Sequence, residues 1–169
     1  EPGQGNRRDQ EENGRAAVLT KIRRKANRTM GAPAIGRGVP AMLDHITFGV
    51  SDLALSRAFY AAALAPHGYE VVMEVTAEET GGPAYVGFGS GGKPSFWIGS
   101  SRPLRGRLHV AFAVRDRAAV DAFYKAAIAA GGKDNGPPGL RPHYHPNYYG
   151  AFVLDPDGHN IEAVCHAPA

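Results

Sequence analysis

The sequence predicts an α+β fold of two tandem βαβββ units, whose strands form a curled, mostly antiparallel sheet around a central cup with the helices outside. Three observations carry this. The chain repeats itself without a gap. Each copy opens on an alternating strand followed by a stretch of helical period. Short extended runs divided by glycine-rich turns then complete each unit.

The repeat is explicit. Residues 45–68, HITFGVSDLALSRAFYAAALAPHG, lie over residues 109–132, HVAFAVRDRAAVDAFYKAAIAAGG, at a constant offset of 64, and twelve of the 24 positions are identical. In the first copy Ile46, Phe48 and Val50 share one face of a strand, while His45, Thr47 and Gly49 share the other. In the second, Val110, Phe112 and Val114 oppose His109, Ala111 and Ala113. The helix that follows must cover the apolar face. Ser51 or Asp52 is its N-cap, with Leu55, Ala58, Phe59 and Ala62 at i, i+3, i+4, i+7. The second helix repeats this with Asp116 as cap and Ala119, Ala122, Phe123 and Ala126. The helices end near Gly68 and Gly131-Gly132. Extended runs are expected at 69–75, 84–89 and 95–100 in the first unit. The second is looser, with a Pro/Gly-rich loop at 136–146, and recovers at 149–155 and 160–166. The units therefore span about 42–104 and 105–168.

Charge is uneven along the 169 residues. Residues 1–40 hold nine Lys/Arg and four acids, while the remainder holds ten Lys/Arg and twelve acids, all seven His and all fifteen aromatic residues. A segment without aromatics buries too little surface to offset its ordering entropy. Residues 1–41 are read as a disordered basic tail before a domain at 42–168. Acids at 9, 11 and 12 argue against a transit peptide, and an apolar signal core is missing. No apolar run approaches the roughly 18 residues of a membrane span. The net charge of +3 belongs to the tail, which lacks the aromatic interleaving of a nucleic-acid surface. A cytoplasmic protein with no nucleic-acid or membrane partner is expected. One Cys excludes an intrachain disulfide. Cys165, three residues beyond Glu162, falls on the opposite face of its strand and is expected to be buried and inert.

His45 and His109 occupy equivalent strand positions on the face away from the helix, where pseudo-symmetry makes their faces converge. Glu162, flanked by Ile161, Ala163, Val164 and Cys165, is a carboxylate in an apolar strand and must be paired, protonated or ligating. Two imidazoles and a carboxylate form a facial triad for a divalent ion, with positions left open for substrate or dioxygen. In the loop 141–145, Arg141 suits an anionic group and His145 a general base. Trp97 packs in the cup, in the core or at a subunit contact, and is carried with Arg141 and Tyr148 as a substrate-binding candidate. The stretch Gly87–Gly92 matches a dinucleotide fingerprint, but a strand follows it where a helix is required, so its glycines form a hairpin turn.

The duplicated unit, the strand His in each copy and the run Asp155-Pro156-Asp157-Gly158 followed by Glu162 resemble the vicinal oxygen chelate superfamily. That group contains glyoxalase I, extradiol dioxygenases, fosfomycin-resistance thiol transferases, methylmalonyl-CoA epimerase and metal-free bleomycin-binding proteins. The resemblance covers residues 42–168 and implies metal ligands at His45, His109 and Glu162. The fourth ligand usual in glyoxalase I would fall in Ser95-Phe96-Trp97-Ile98, which offers no carboxylate. Against the extradiol pattern His145 fits the catalytic His, whereas Phe152 stands where Tyr is expected, so Tyr148 or Tyr149 would have to supply the proton. The expectation is a metalloenzyme, dioxygenase or lyase/isomerase, acting on a small oxygen-chelating substrate through Fe(II), Mn(II), Zn(II) or Ni(II), and working as a homodimer. The alternative is a metal-independent protein that sequesters a small molecule.

Overall fold

A computed structural model describes residues 43–168; the expected tail lies outside them. Two βαβββ units follow each other. The first comprises β1 (Ile46–Gly49), α1 (Leu53–Leu64), β2 (Glu70–Val75), the single-turn α2 (Ala77–Thr80), β3 (Tyr85–Ser90) and β4 (Lys93–Gly99). The second comprises β5 (His109–Ala113), α3 (Arg117–Ala129), β6 (Lys133–Leu140), β7 (Tyr149–Leu154) and β8 (Asn160–Cys165). They form two four-stranded sheets of the same plan, β1-β4-β3-β2 and β5-β8-β7-β6. In each, the first strand runs parallel to the last and the other pairings are antiparallel.

Local chemistry starts both helices in the same way. The Asp52 carboxylate accepts from the Leu55 amide and the Asp116 carboxylate from the Ala119 amide, each satisfying an orphan donor of the first turn. The buried stripe lies one residue from the expected one. Ser56, Phe59, Tyr60, Ala63 and Leu64 are buried on α1, and Val120, Phe123 and Ala127 on α3, while Leu55 is 52% exposed. Apolar spacing fixed Phe59 and Phe123 but not the rotation about them. That is set by the packing of the units, which places Ser56 and Val120, Phe59 and Phe123, and Ala63 and Ala127 at equivalent positions. The Gly91-Gly92 turn joins β3 to β4 with φ of 58° and 79°, the left-handed pair a tight hairpin needs.

The expected loop at 136–146 is strand over its first five residues. Lys133–Leu140 pairs with β7 at the sheet edge, with register shifts either side of Gly136. An edge strand tolerates Pro137 and Pro138 because their missing N–H groups face no partner, and bulges absorb the irregularity.

One core joins the two units. Phe96 meets Phe112 edge-on at 5.3 Å, and Phe48 meets His159 at 5.6 Å. The Tyr60 hydroxyl donates to buried Asp155 at 2.5 Å, and the other Asp155 oxygen accepts from the Asp157 and His159 amides. The Asp155–Gly158 turn thus holds the units together. Cys165 is buried in this core, as expected. No helix among the described residues is long and apolar enough to cross a membrane.

His67 stacks on Phe123 of the other unit at 5.7 Å, and both its buried ring nitrogens lack a hydrogen-bond partner. Burial lowers its pKa below the ordinary value of 6.5. As pH falls the unfolded chain takes up this proton first, so the contribution of neutral His67 is complete above about pH 6.5 and declines towards the lower folded value. His67→Phe keeps the stack and removes the proton. Between about pH 7.5 and about pH 5.5 the thermal midpoint of the variant is expected to gain on wild type; a constant difference would contradict this.

Candidate functional site

The face of β8 opposite the core carries Glu162. Its register partners are Ala111 on β5, whose small side chain leaves room, and Phe152 on β7. The carboxylate is 1% exposed. Tyr148, one residue before β7, donates its hydroxyl to Glu162 Oε1 at 2.5 Å. His109, first residue of β5, holds Nε2 at 3.1 Å from Oε2. Desolvation raises the Glu162 pKa, while its bonds to Tyr148 and His109 oppose that rise. Burial and the adjacent carboxylate push the Tyr148 phenol far up, so it stays protonated and a donor.

Asn160 fixes His109 from behind. Its amide nitrogen meets His109 Nδ1 at 2.7 Å, and its amide oxygen accepts from Asn135 at 3.0 Å. The Asn160 carbonyl oxygen also lies 3.3 Å from Nδ1, so Asn160 holds the ring through both side chain and backbone while Nε2 faces Glu162. These residues line an open pocket of about 420 Å³ formed by His109, Tyr144, Tyr148, Phe152, Asn160 and Glu162. Three of the six are Phe or Tyr, so the floor is ionic and the walls are aromatic.

Sequence candidates divide around this pocket. His109, Glu162 and Tyr148 meet in it. His45 does not line it: half-exposed just before β1, its Nδ1 lies 2.9 Å from Asp44, whose other oxygen accepts from Lys93 at 2.7 Å. The Lys93 and His45 bonds hold the Asp44 carboxyl down at about 2. Among the described residues no group of three or more His, Cys, Asp or Glu is placed to hold a metal ion. Tyr149 donates to Asp121 of α3 at 2.9 Å and does not line the pocket. His145 is exposed, takes the Asn147 amide on Nδ1 and meets His166 edge-on at 6.0 Å. Arg141 lies over Phe152, a wall of the pocket, at 5.6 Å.

Trp97 is buried beside Met73, Val75 and Tyr85. Its partner across the parallel pairing is Thr47, as Ala111 is the partner of Glu162. Thr47 and Ala111 are equivalent in the repeat, so an indole stands in the first unit where the second has its carboxylate. Asn160 and Gly150 escaped the sequence reading. The repeat, which implies that β5 lies beside β8, would have put Asn160 opposite His109. Nothing in the sequence marks Gly150.

Gly150 makes the close packing possible. A Cβ there would lie 2.9 Å from Glu162 Oε1 and 3.1 Å from the Tyr148 ring. Gly150→Ala is expected to break the Tyr148–Glu162 bond and cost about 1–3 kcal/mol. Urea unfolding measures the cost, and loss of the slowly exchanging Tyr148 hydroxyl proton in NMR spectra reports the bond. Wild-type stability with that resonance intact would contradict this.

Residues 42–163 match the family model of the Glyoxalase/Bleomycin resistance protein/Dioxygenase superfamily. Among solved structures, a glyoxalase/bleomycin resistance protein from Albidiferax ferrireducens T118 is similar at 30% identity and a TM-score of 0.60, over 76% of this chain and all of that one. A glyoxalase/bleomycin resistance protein/dioxygenase family enzyme from Burkholderia phytofirmans PsJN is similar at 23% identity and 0.54, over 75% of this chain and all of that one. Glyoxalase I from Zea mays is similar in fold at 22% identity and 0.54, over 72% of this chain; the match spans 45% of the maize chain. Among curated proteins none matches the chain.

Proposed function

Because the chain belongs to the Glyoxalase/Bleomycin resistance protein/Dioxygenase superfamily, we propose that it is a metal-dependent enzyme acting on a small substrate that offers two neighbouring oxygens. The observation that carries this is the pairing of His109 with buried Glu162 on the floor of an open pocket. Donors bound to one ion at about 2.0–2.2 Å, with a right angle between them, lie about 3 Å apart, and the 3.1 Å between His109 Nε2 and Glu162 Oε2 fits that spacing. His109 would exchange its Nε2 proton for the ion. One chain supplies these two donors. The third in this reading is His45 of a second copy, so the protein would act as a homodimer. His45 suits the role: with Nδ1 turned to the Asp44 carboxylate, Nε2 is free to ligate, an arrangement common among metal-bound imidazoles.

When bound, a divalent ion supplies Lewis-acid stabilisation of a developing enolate or a place for dioxygen. Tyr148, whose hydroxyl lies 2.5 Å from Glu162, opens on the same pocket and would keep its proton while donating a hydrogen bond to a substrate oxygen, in place of the missing Tyr at position 152. Tyr144 and Phe152 offer aromatic faces along the walls. With Trp97 at the position pseudo-equivalent to Glu162, that position supplies no carboxylate as a fourth ligand, which favours dioxygenase chemistry over that of glyoxalase I. Roles for His145 and Tyr149 require the 141–149 segment to change its contacts on substrate binding.

A second reading is metal-independent sequestration of a small molecule, favoured by the lack of a three-donor cluster among the described residues of one chain. Complementation separates the two. Purified alone, His45→Ala and Glu162→Gln should each lose tight Mn(II) binding in equilibrium dialysis. Co-expressed, they should recover about one quarter of the wild-type sites, because half of randomly assorted dimers carry one intact site of two. Wild type that binds no Mn(II), Fe(II), Zn(II) or Ni(II) would overturn the metal reading in favour of sequestration. Loss without recovery on mixing would overturn the shared site.

A further inference from the structure

Arg141 follows β6, and its amide is tied to the Tyr148 carbonyl at 2.7 Å. Its side chain folds back over the bulged strand. Nη2 donates to the Pro137 carbonyl at 2.7 Å and Nη1 to the Leu140 carbonyl at 3.3 Å, with the guanidinium 5.6 Å from the centre of the Phe152 ring. Gly139 makes room for the seat, since a Cβ there would lie 2.8 Å from Nη1. Arg57 and Arg115 have carboxylate partners, Glu74 and Asp116. Arg141 has none among the described residues. A guanidinium carries five N–H groups, and carbonyls take two of them here. The group is therefore positioned, charged and only partly used; it is not one of the six lining residues but lies over one of them, Phe152.

We propose that the pocket takes a carboxylate-bearing ligand, whose anionic group pairs with Arg141 beside Phe152 while its carbon skeleton lies against Phe152, Tyr144 and Tyr148. Planar guanidinium and planar carboxylate match in a two-pronged geometry, and a seat held by backbone carbonyls and an aromatic face leaves little side-chain entropy to lose. Both Glu162 oxygens already accept, from Tyr148 and His109, which blunts their repulsion of an incoming anion. The proposal rests on the His109–Glu162 pocket being the ligand site and is independent of a metal there.

The test uses the full chain and two isosteric probes, 4-fluorobenzoate and 4-fluorobenzamide, with binding followed by ¹⁹F NMR before and after treatment with EDTA. Wild type is expected to prefer the benzoate by about tenfold or more, a difference of roughly 1.4 kcal/mol, in both conditions. Arg141→Met should reduce the benzoate to the level of the benzamide. Gly139→Ala retains the charge and the fold but pushes Nη1 out of its seat, so it should weaken the benzoate several-fold and leave the benzamide unchanged. Equal binding of the probes by wild type, detectable binding of neither, or a preference that survives Arg141→Met would overturn the proposal. A preference abolished by EDTA would also overturn it, since it would put the anion on a bound ion. A chain that binds no metal yet keeps an Arg141-dependent preference would overturn the metal reading alone.

Discussion

The site depends on a carboxylate that has been taken out of water. Burying an ionised carboxylate costs several kcal/mol unless other groups replace its hydration. Around Glu162 two side chains supply the replacement and two small residues make room for it. Tyr148 donates to one oxygen, His109 faces the other, Ala111 leaves room across the pairing, and Gly150 has no Cβ to obstruct the phenol. Asn160 and Asn135 then hold the imidazole. A hydrophobic residue at 162 would need none of this. In the proposed reading such an arrangement is explained by what the carboxylate would do for a ligand; its partners Tyr148 and His109 line the pocket with it.

Duplication supplied the framework, and divergence made the two halves unlike. Both copies keep the strand His, the Asp cap and the buried Phe of the helix. At the next layer they separate. Trp97 occupies the position that Glu162 occupies in the second copy, and it is packed among Met73, Val75 and Tyr85. His45 turns to Asp44 and Lys93, whereas His109 turns to Glu162 and Asn160. One unit thus presents a pocket and the other an imidazole oriented by Asp44 and Lys93. Juxtaposing these unlike faces in a two-copy assembly would give the pocket the third donor that one chain withholds.

Features that arise within a few residues, or from the repeat itself, were legible in the sequence. The strand-helix order, the cap at Asp116, the narrowing of the first cap to Ser51 or Asp52, a glycine hairpin within 87–92, the buried Cys165 and the cup-facing pair His109 and Glu162 all follow from spacing and residue type. Features fixed by register between distant strands were not. The stripe on α1 is turned by one residue because the core packs on Tyr60 and Leu64, and no count of apolar positions contains that. The Pro/Gly stretch after α3 reads as loop until its place at a sheet edge is known. Tyr148 and Tyr149 are indistinguishable as neighbours, yet one reaches Glu162 and the other Asp121. Gly150 and Asn160 acquire meaning only through the side chains that strand pairing sets beside them.

If Glu162 is held buried for a bound ion, the same carboxylate must cost the metal-free fold and serve the loaded one. Thermal unfolding of wild type and Glu162→Gln, each with and without Mn(II), reads both sides at once. Wild type is expected to rise in midpoint with Mn(II), as any protein does that binds a ligand only when folded. Glu162→Gln is expected to match or exceed wild type without the ion and to gain nothing from it. A variant that is markedly less stable than wild type and still responds fully to Mn(II) would make Glu162 a structural residue and contradict its place at the centre of the site.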